Sequence, residues 1–337
     1  MGGGGLPSSC LGRAQSVYGN GGHSAFASSP RSKAGRGQPR STLRGRNFGH
    51  SGGIPGLFLA FRGVAGPGDE ILVPDPGWPD YLGGMRSLGI RPVPYPLTPP
   101  HYLPNMATMD QLITAATRAV VVNFPGNPTG QVAPPDVVQA LVDWAERHDL
   151  WIVSDEVYDQ IVFDGQPLSP AHIDPERTLG VYSFSKTYAM TGWRLGYLAG
   201  PPSAIASLTK VAMGIWSSVS EPLQYAGLAA LEGPQAIVED RRRQYQRRRD
   251  AAVEYLDRVQ ITHSNPDGAF YLLVHIAESG LSSRDFALRL LDQAGVAVAP
   301  GSAFGEMAEG FVRISLASPE TDILRGLARL AAFLGHA

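Results

Sequence analysis

Lys186 is the first residue whose type and place suggest chemistry. Of the chain's 28 basic side chains only Lys33, Lys186 and Lys210 are lysines. Lys186 follows the apolar run Leu179–Phe184 and stands among hydroxyls and aromatics in Ser183-Phe184-Ser185-Lys186-Thr187-Tyr188-Ala189-Met190-Thr191-Gly192-Trp193-Arg194. An amine near a low-dielectric pocket and a second cation drops below its usual pKa of about 10.4 and becomes available as a nucleophile. Arginine cannot do this, because its guanidinium stays protonated. Ser183 and Arg194 flank the lysine with a hydroxyl and a guanidinium, the donors that a phosphate takes.

Two more segments follow apolar runs. In Asn123-Phe124-Pro125-Gly126-Asn127-Pro128-Thr129-Gly130, prolines and glycines force a tight loop that holds Asn127. Taken alone it reads better as a plain turn. In Ser154-Asp155-Glu156-Val157-Tyr158, an acid at a buried strand end needs a cationic partner, and Asp155 and Tyr158 face one way in a helical turn. A helix cap beside a core tyrosine is the plain alternative. His148, His172, His263 and His275 lack ligand spacing, so no metal is expected.

The elements that must position these residues follow from periodicity. Short β-rich runs (Glu70–Pro74, Arg91–Tyr95, Ala119–Phe124, Leu150–Ser154, Leu179–Phe184, Arg194–Ala199) alternate with helical patterns (Asp80–Leu88, Met109–Thr117, Pro134–His148). That alternation predicts an α/β domain with a mainly parallel sheet flanked by helices, with ligands at the strands' carboxyl ends. From Pro201-Pro202 the pattern is mainly helical, and the last eighty residues read as a smaller α+β unit. The expected division is a low-complexity segment at 1–48, a large domain at 49–215, and connecting helices with a small domain at 216–337. The run Arg241-Arg242-Arg243 and Arg247-Arg248-Arg249 could suggest nucleic acid. Interleaved Glu239, Asp240, Asp250 and Glu254 favour a solvated helix face instead.

Composition limits the rest. The 337 residues are 43% apolar, which suits a packed protein, and the single cysteine, Cys10, excludes a disulfide scaffold. No stretch of about 18 apolar residues suggests a membrane span. Residues 1–50 carry seven basic and no acidic side chains, while the remaining 287 carry 21 basic and 30 acidic. This first segment, rich in Gly, Ser and Arg and without periodicity, is expected to be largely disordered. An organelle transit peptide, a tail without an address and a misread start all match its composition.

The motifs NFPGNPTG, SDEVYD, SFSKTYAMTGWRLGY, GAFYLLV and FVRISLA together resemble the class I/II aminotransferases, which are fold-type-I pyridoxal-phosphate enzymes. The resemblance runs from about residue 50 to the C-terminus and implies a role for each residue. Lys186 would form the Schiff base with pyridoxal 5'-phosphate and carry the α-proton. Asp155 would pair with the pyridinium nitrogen, while Tyr158 and Asn127 would bond the ring's phenolic oxygen. Ser183, Arg194 and the backbone of Ser51-Gly52-Gly53 would hold the phosphate at a helix start. Trp78 would stack on the ring unless it is ordinary core, and Arg313 would clamp the substrate carboxylate.

The implied reaction moves an amino group between an amino acid and a 2-oxo acid in a cytoplasmic homodimer, with no nucleic-acid or membrane partner. The alternatives are a β-eliminating lyase on the same cofactor floor and an inactive, N-terminally truncated chain. His50-Ser51-Gly52-Gly53-Ile54 departs from the family's usual phosphate loop, so Ser51 is the weakest assignment. The family's ordered region ahead of that loop has no counterpart in the first fifty residues. An upstream shift of reading frame is the leading explanation.

Overall fold

A computed structural model describes residues 47–336. The reading of residues 1–48 therefore lies outside the described residues except for its last two positions. Seven strands form the larger sheet: β1 (Asn47–His50), β2 (Glu70–Asp75), β3 (Arg91–Pro96), β4 (Thr117–Val122), β5 (Trp151–Asp155), β6 (Thr178–Ser183) and β7 (Gly196–Ala199). Their order is β1-β7-β6-β5-β4-β2-β3. From β3 to β6 every pair is parallel, while β6–β7 and β7–β1 are antiparallel. Strands β2 and β6 are buried at every position, as expected of a parallel sheet covered on both faces.

The covering helices are α1 (Gly53–Val64), α2 (Asp80–Ser87), α3 (Met106–Asp110), α4 (Pro135–Arg147), α5 (Pro170–Ile173), α6 (Phe184–Thr187) and α7 (Pro202–Trp216). Helix α1 lays Leu57, Ala60, Phe61 and Val64 in the core that it shares with Ile71, Val121, Val153 and Val181 of the sheet. That spacing is one face of a 3.6-residue helix. Helices α8 (Glu221–Glu232) and α9 (Ala236–Arg258) lead to β8 (Tyr271–His275), α10 (Ser283–Ala294), β9 (Ala299–Pro300), β10 (Phe311–Ser315) and α11 (Glu320–Leu334). The second sheet is antiparallel, in the order β8-β10-β9.

Several elements differ from the sequence reading. The helix expected over Met109–Thr117 is instead α3, displaced toward the N-terminus and capped by the Asn105 side chain, which accepts from Thr108 N–H at 3.1 Å. Its continuation is diverted by threonine hydroxyls. Thr114 and Thr117 both donate to buried Glu70, at 2.7 and 3.2 Å, and this draws the chain into β4. Strand β7 starts at Gly196 rather than Arg194, because Arg194 takes a left-handed conformation with φ 50°. Of the run Val296–Ala299 only Ala299 enters β9. Strand β1 exists through its pairing with β7 and had no local signal. The arginine run is more than a solvated face. Buried Arg249 bonds Asp164 at 2.7 Å and the Pro266 carbonyl at 2.6 Å, and Arg248 reaches the carbonyls of Leu316 and Ala317.

Candidate active site

The carboxyl ends of β4, β5 and β6 open on one cavity of about 140 Å³. Gly53, Trp78, Asn127, Asp155, Tyr158, Ser183, Lys186 and Arg194 all line it, although they come from segments far apart in sequence. Ile54, Leu57, Asn123 and Tyr271 complete much of the wall.

Lys186 is placed by a local device. The Ser183 hydroxyl accepts the Ser185 N–H at 3.2 Å and caps the single turn α6 directly after β6. The half-buried amine lies 5.9 Å from the Tyr158 ring centre and 5.6 Å from that of Phe270. Burial lowers its pKa, the charges of Arg313 and Arg194 lower it further, and Asp155 opposes them.

Asp155 ends β5 at 4% exposure. Tyr81 donates its hydroxyl to Oδ2 at 2.7 Å. Asn123 Nδ2 donates to the Asp155 carbonyl at 2.8 Å and fixes the neighbouring loop. Burial pushes the carboxyl up to about 6, against the Tyr81 bond, the Val157 N–H and the charge of Lys186. Tyr158 is buried, its hydroxyl 2.9 Å from that of Tyr271. Burial holds both phenols protonated well past neutral pH.

A second corner gathers anion donors. Gly52 is the N-cap of helix α1, which has no side-chain cap. Gly52 has φ 94°, and a Cβ there would lie 2.6 Å from Arg194 Nη2, so the guanidinium rests against this backbone. A Cβ on Gly53 would touch Ser183 Cβ at 3.8 Å, which brings that hydroxyl to the same corner. An uncapped helix start, a hydroxyl and a guanidinium make an anion cradle. Ser51 is half-buried and does not line the cavity, nor does Gly52.

Arg313 reaches the site from β10. Its Nη1 donates to Asn127 Oδ1 at 2.8 Å, and Asn127 is itself held by its N–H donating to Asn123 Oδ1 at 2.9 Å. The Arg313 carbon Cζ is 4.2 Å from the Tyr271 ring centre and 4.5 Å from that of Phe304. Its Nε is buried with no partner among the described residues. A planar cation with an unused donor suits a carboxylate.

Sequence reasoning missed Tyr81, Tyr271, Asn123 and Phe304. Tyr271 and Asn123 lie inside motifs read for other residues, and Tyr81 lies three positions after Trp78. Phe304 carried no signal.

Residues 44–330 match the family described as Aminotransferase class I and II. The aspartate/prephenate aminotransferase of Thermus thermophilus is 39% identical over 290 residues, covering 85% of this chain and 74% of the relative. An arginine–pyruvate transaminase of Pseudomonas aeruginosa is 38% identical, covering 83% of this chain and 74% of the relative. Among solved structures, a double mutant of the Thermus thermophilus aspartate aminotransferase superposes with a TM-score of 0.87 at 34% identity, covering 96% of this chain and 87% of that one. The chain belongs to the class I and II aminotransferases.

Proposed function

We propose that this chain binds pyridoxal 5'-phosphate on Lys186 and transfers an amino group between an amino acid and a 2-oxo acid. The observation that carries the reading is the single cavity lined by the Lys186 amine, the Asp155 carboxylate and the corner of Gly53, Ser183 and Arg194. The donor set fits the cofactor. Asp155 would meet the basic ring nitrogen, the Lys186 amine of lowered pKa would meet the aldehyde, and the anion cradle would hold the phosphate. Bound there, the cofactor supplies an electron sink for charge developed at the substrate α-carbon.

The protein's own groups do the rest. Arg313 takes the α-carboxylate bidentately, aimed by Asn127 and by the rings of Tyr271 and Phe304. Lys186 Nζ holds and returns the α-proton, a task suited to an amine of lowered pKa. Asp155 keeps a positive charge at the ring nitrogen, and Tyr81 keeps Asp155 ionised. Tyr158 and Asn127 offer hydrogen bonds at the ring edge, and half-buried Trp78 offers a face for stacking.

In this reading residues 49–215 form the cofactor domain, and residues 216–337 form connecting helices and a small domain. The two separate sheets support that division. A homodimer is part of the reading. Exposed Ile54 lines the cavity, Trp193 is exposed beside Arg194 in the chain, and Met213 and Ile215 are exposed on α7, which packs on α1. Apolar side chains grouped in this way suit a protein surface that becomes covered. The internal pairing of Arg242, Arg248 and Arg249 supports a chain without a nucleic-acid partner. Small polar substrates are consistent with a cytoplasmic location. Among the described residues no helix is long and apolar enough to cross a membrane.

The test is titration of the full chain with the cofactor, followed by a screen of amino donors. A visible absorbance band that borohydride removes, absent in Lys186→Ala, is expected. Oxo-acid formation should depend on an added amino acceptor. No band in the wild-type chain would refute cofactor binding, and oxo acid released without an acceptor would mean β-elimination instead.

A further inference from the structure

We propose that Asp75 is a positioning residue for the substrate carboxylate. Its carboxylate clasps the segment around Phe304 to the loop bearing Trp78 and so sets the Phe304 ring on Arg313. The inference rests on the carboxylate role given to Arg313 above.

Asp75 closes β2 and is 9% exposed. A carboxylate so buried is costly unless partnered. Its partners come from the far end of the chain: Glu306 N–H donates to Oδ2 at 3.2 Å and Met307 N–H to Oδ1 at 3.0 Å. Two residues on, Gly77 N–H donates to the Phe304 carbonyl at 2.8 Å. Three hydrogen bonds, two to the Asp75 side chain and one between backbones, thus tie Asp75 and the β2–α2 loop to one short segment. Gly305 shows how close the approach is, because it has φ 133° and a Cβ there would run into Asp75 Oδ1. Only glycine fits such a position.

The clasp acts where apolar packing is incomplete. A cavity of about 130 Å³ lies between the two segments, lined by Trp78, Tyr81, Ser302 and Phe304 among others. Polar bonds, rather than a filled interface, therefore fix the distance between them. On one side the clasped loop carries Trp78, and Tyr81 N–H bonds the Trp78 carbonyl at 3.2 Å. On the other side Phe304 lies 4.5 Å from the Arg313 Cζ. Since Arg313 Nε has no protein partner among the described residues, its aim depends on Asn127 and on these rings. Releasing Phe304 loosens the clamp, while Trp78, packed against the core that α1 shares with the sheet, and Tyr81, bonded to Asp155, keep their side of the clasp and the cofactor groups in place.

The experiment uses the full chain with added cofactor, in Asp75→Asn, Asp75→Ala and Gly305→Ala forms. KM for the amino donor, kcat and the cofactor dissociation constant are measured, with hydrogen exchange at the Glu306 and Met307 amides. Loss of bonds to a buried carboxylate predicts a KM about tenfold higher in Asp75→Ala. Gly305→Ala should match it, and Asp75→Asn, which keeps one acceptor and nearly the same shape, should fall between. In all three, kcat and cofactor affinity stay at wild-type values and the two amides exchange faster. An unchanged KM, a parallel loss of cofactor affinity, or amides that stay protected in Asp75→Ala would overturn the proposal. A wild-type chain that takes up no cofactor would refute the reading of the site, and amide exchange would still decide the clasp.

Discussion

Tyr81→Phe isolates the hydrogen bond that keeps Asp155 charged. The Tyr81 hydroxyl, on a residue 1% exposed, is 2.7 Å from a carboxylate that is 4% exposed. Burial pushes that carboxyl up to about 6, and the tyrosine pulls against burial. A hydrogen bond to a buried charge contributes about 1.5–3 kcal/mol, and each pKa unit is about 1.4 kcal/mol, so losing the hydroxyl raises the carboxyl by about 1–2 units. The midpoint moves from about 6 to about 7–8. At pH 7 the ionised fraction falls from about nine-tenths to half or less.

The same shift changes stability without cofactor. A carboxyl held above its ordinary 3.8 binds its proton more tightly folded than unfolded. Its contribution is complete below pH 3.8 and is lost as pH rises through about 6, a change of about 3 kcal/mol. In Tyr81→Phe the loss is deeper and extends to about pH 7–8. Carboxyl-carbon NMR on the cofactor-free protein, with aspartate labelled and Asp155→Asn used for assignment, reads the midpoint directly. A midpoint that stays near 6 in Tyr81→Phe would refute the reasoning.

Two further outcomes follow from the site's backbone. Gly52→Ala forces a side chain into a conformation reserved for glycine and against Arg194, so the cofactor dissociation constant should rise about tenfold or more, read by absorbance titration. Unchanged affinity would separate this corner from the phosphate. His50 is fully buried beneath that loop, beside Gly56 and Gly196, and burial lowers its pKa from 6.5 to about 4. Its contribution is complete above pH 6.5 and is lost as pH falls through about 4, about 3 kcal/mol in all. His50→Gln should therefore flatten the fall in stability over that range, measured by unfolding at several pH values. An equally steep fall would show that His50 does not carry it.

What the sequence disclosed follows from how far each residue acts along the chain. Lys186, Ser183 and Arg194 lie within twelve residues after one strand, and Asp155 and Tyr158 form one turn after another, so local pattern held their relations. Tyr81 meets Asp155 across 74 positions, and Asp75 meets Glu306 across 231. No periodicity encodes such meetings, because parallel pairing and the fold of the second sheet create them. Strand β1 fails for the same reason, since Asn47–His50 becomes a strand only against β7. Helix α3 was misplaced for a different cause. The threonines that end it act through side-chain bonds to Glu70, which a hydrophobic pattern does not report.

The charges around Lys186 link its basicity to the anions that the proposed site would bind. After burial, the two influences that lower its pKa are Arg313 and Arg194, and each faces a place for an anion. A phosphate at the Gly52–Gly53 corner would neutralise the second, and a carboxylate on Arg313 would neutralise the first. Only Asp155 pulls the other way. The amine is thus the poorest proton holder while neither anion is bound. It regains proton affinity as each anion arrives. In the proposed reading burial still lowers the amine's pKa when both anions are bound, which leaves it able to return the α-proton. The guanidinium that would take the carboxylate in that reading also sets the amine's basicity, through charge alone.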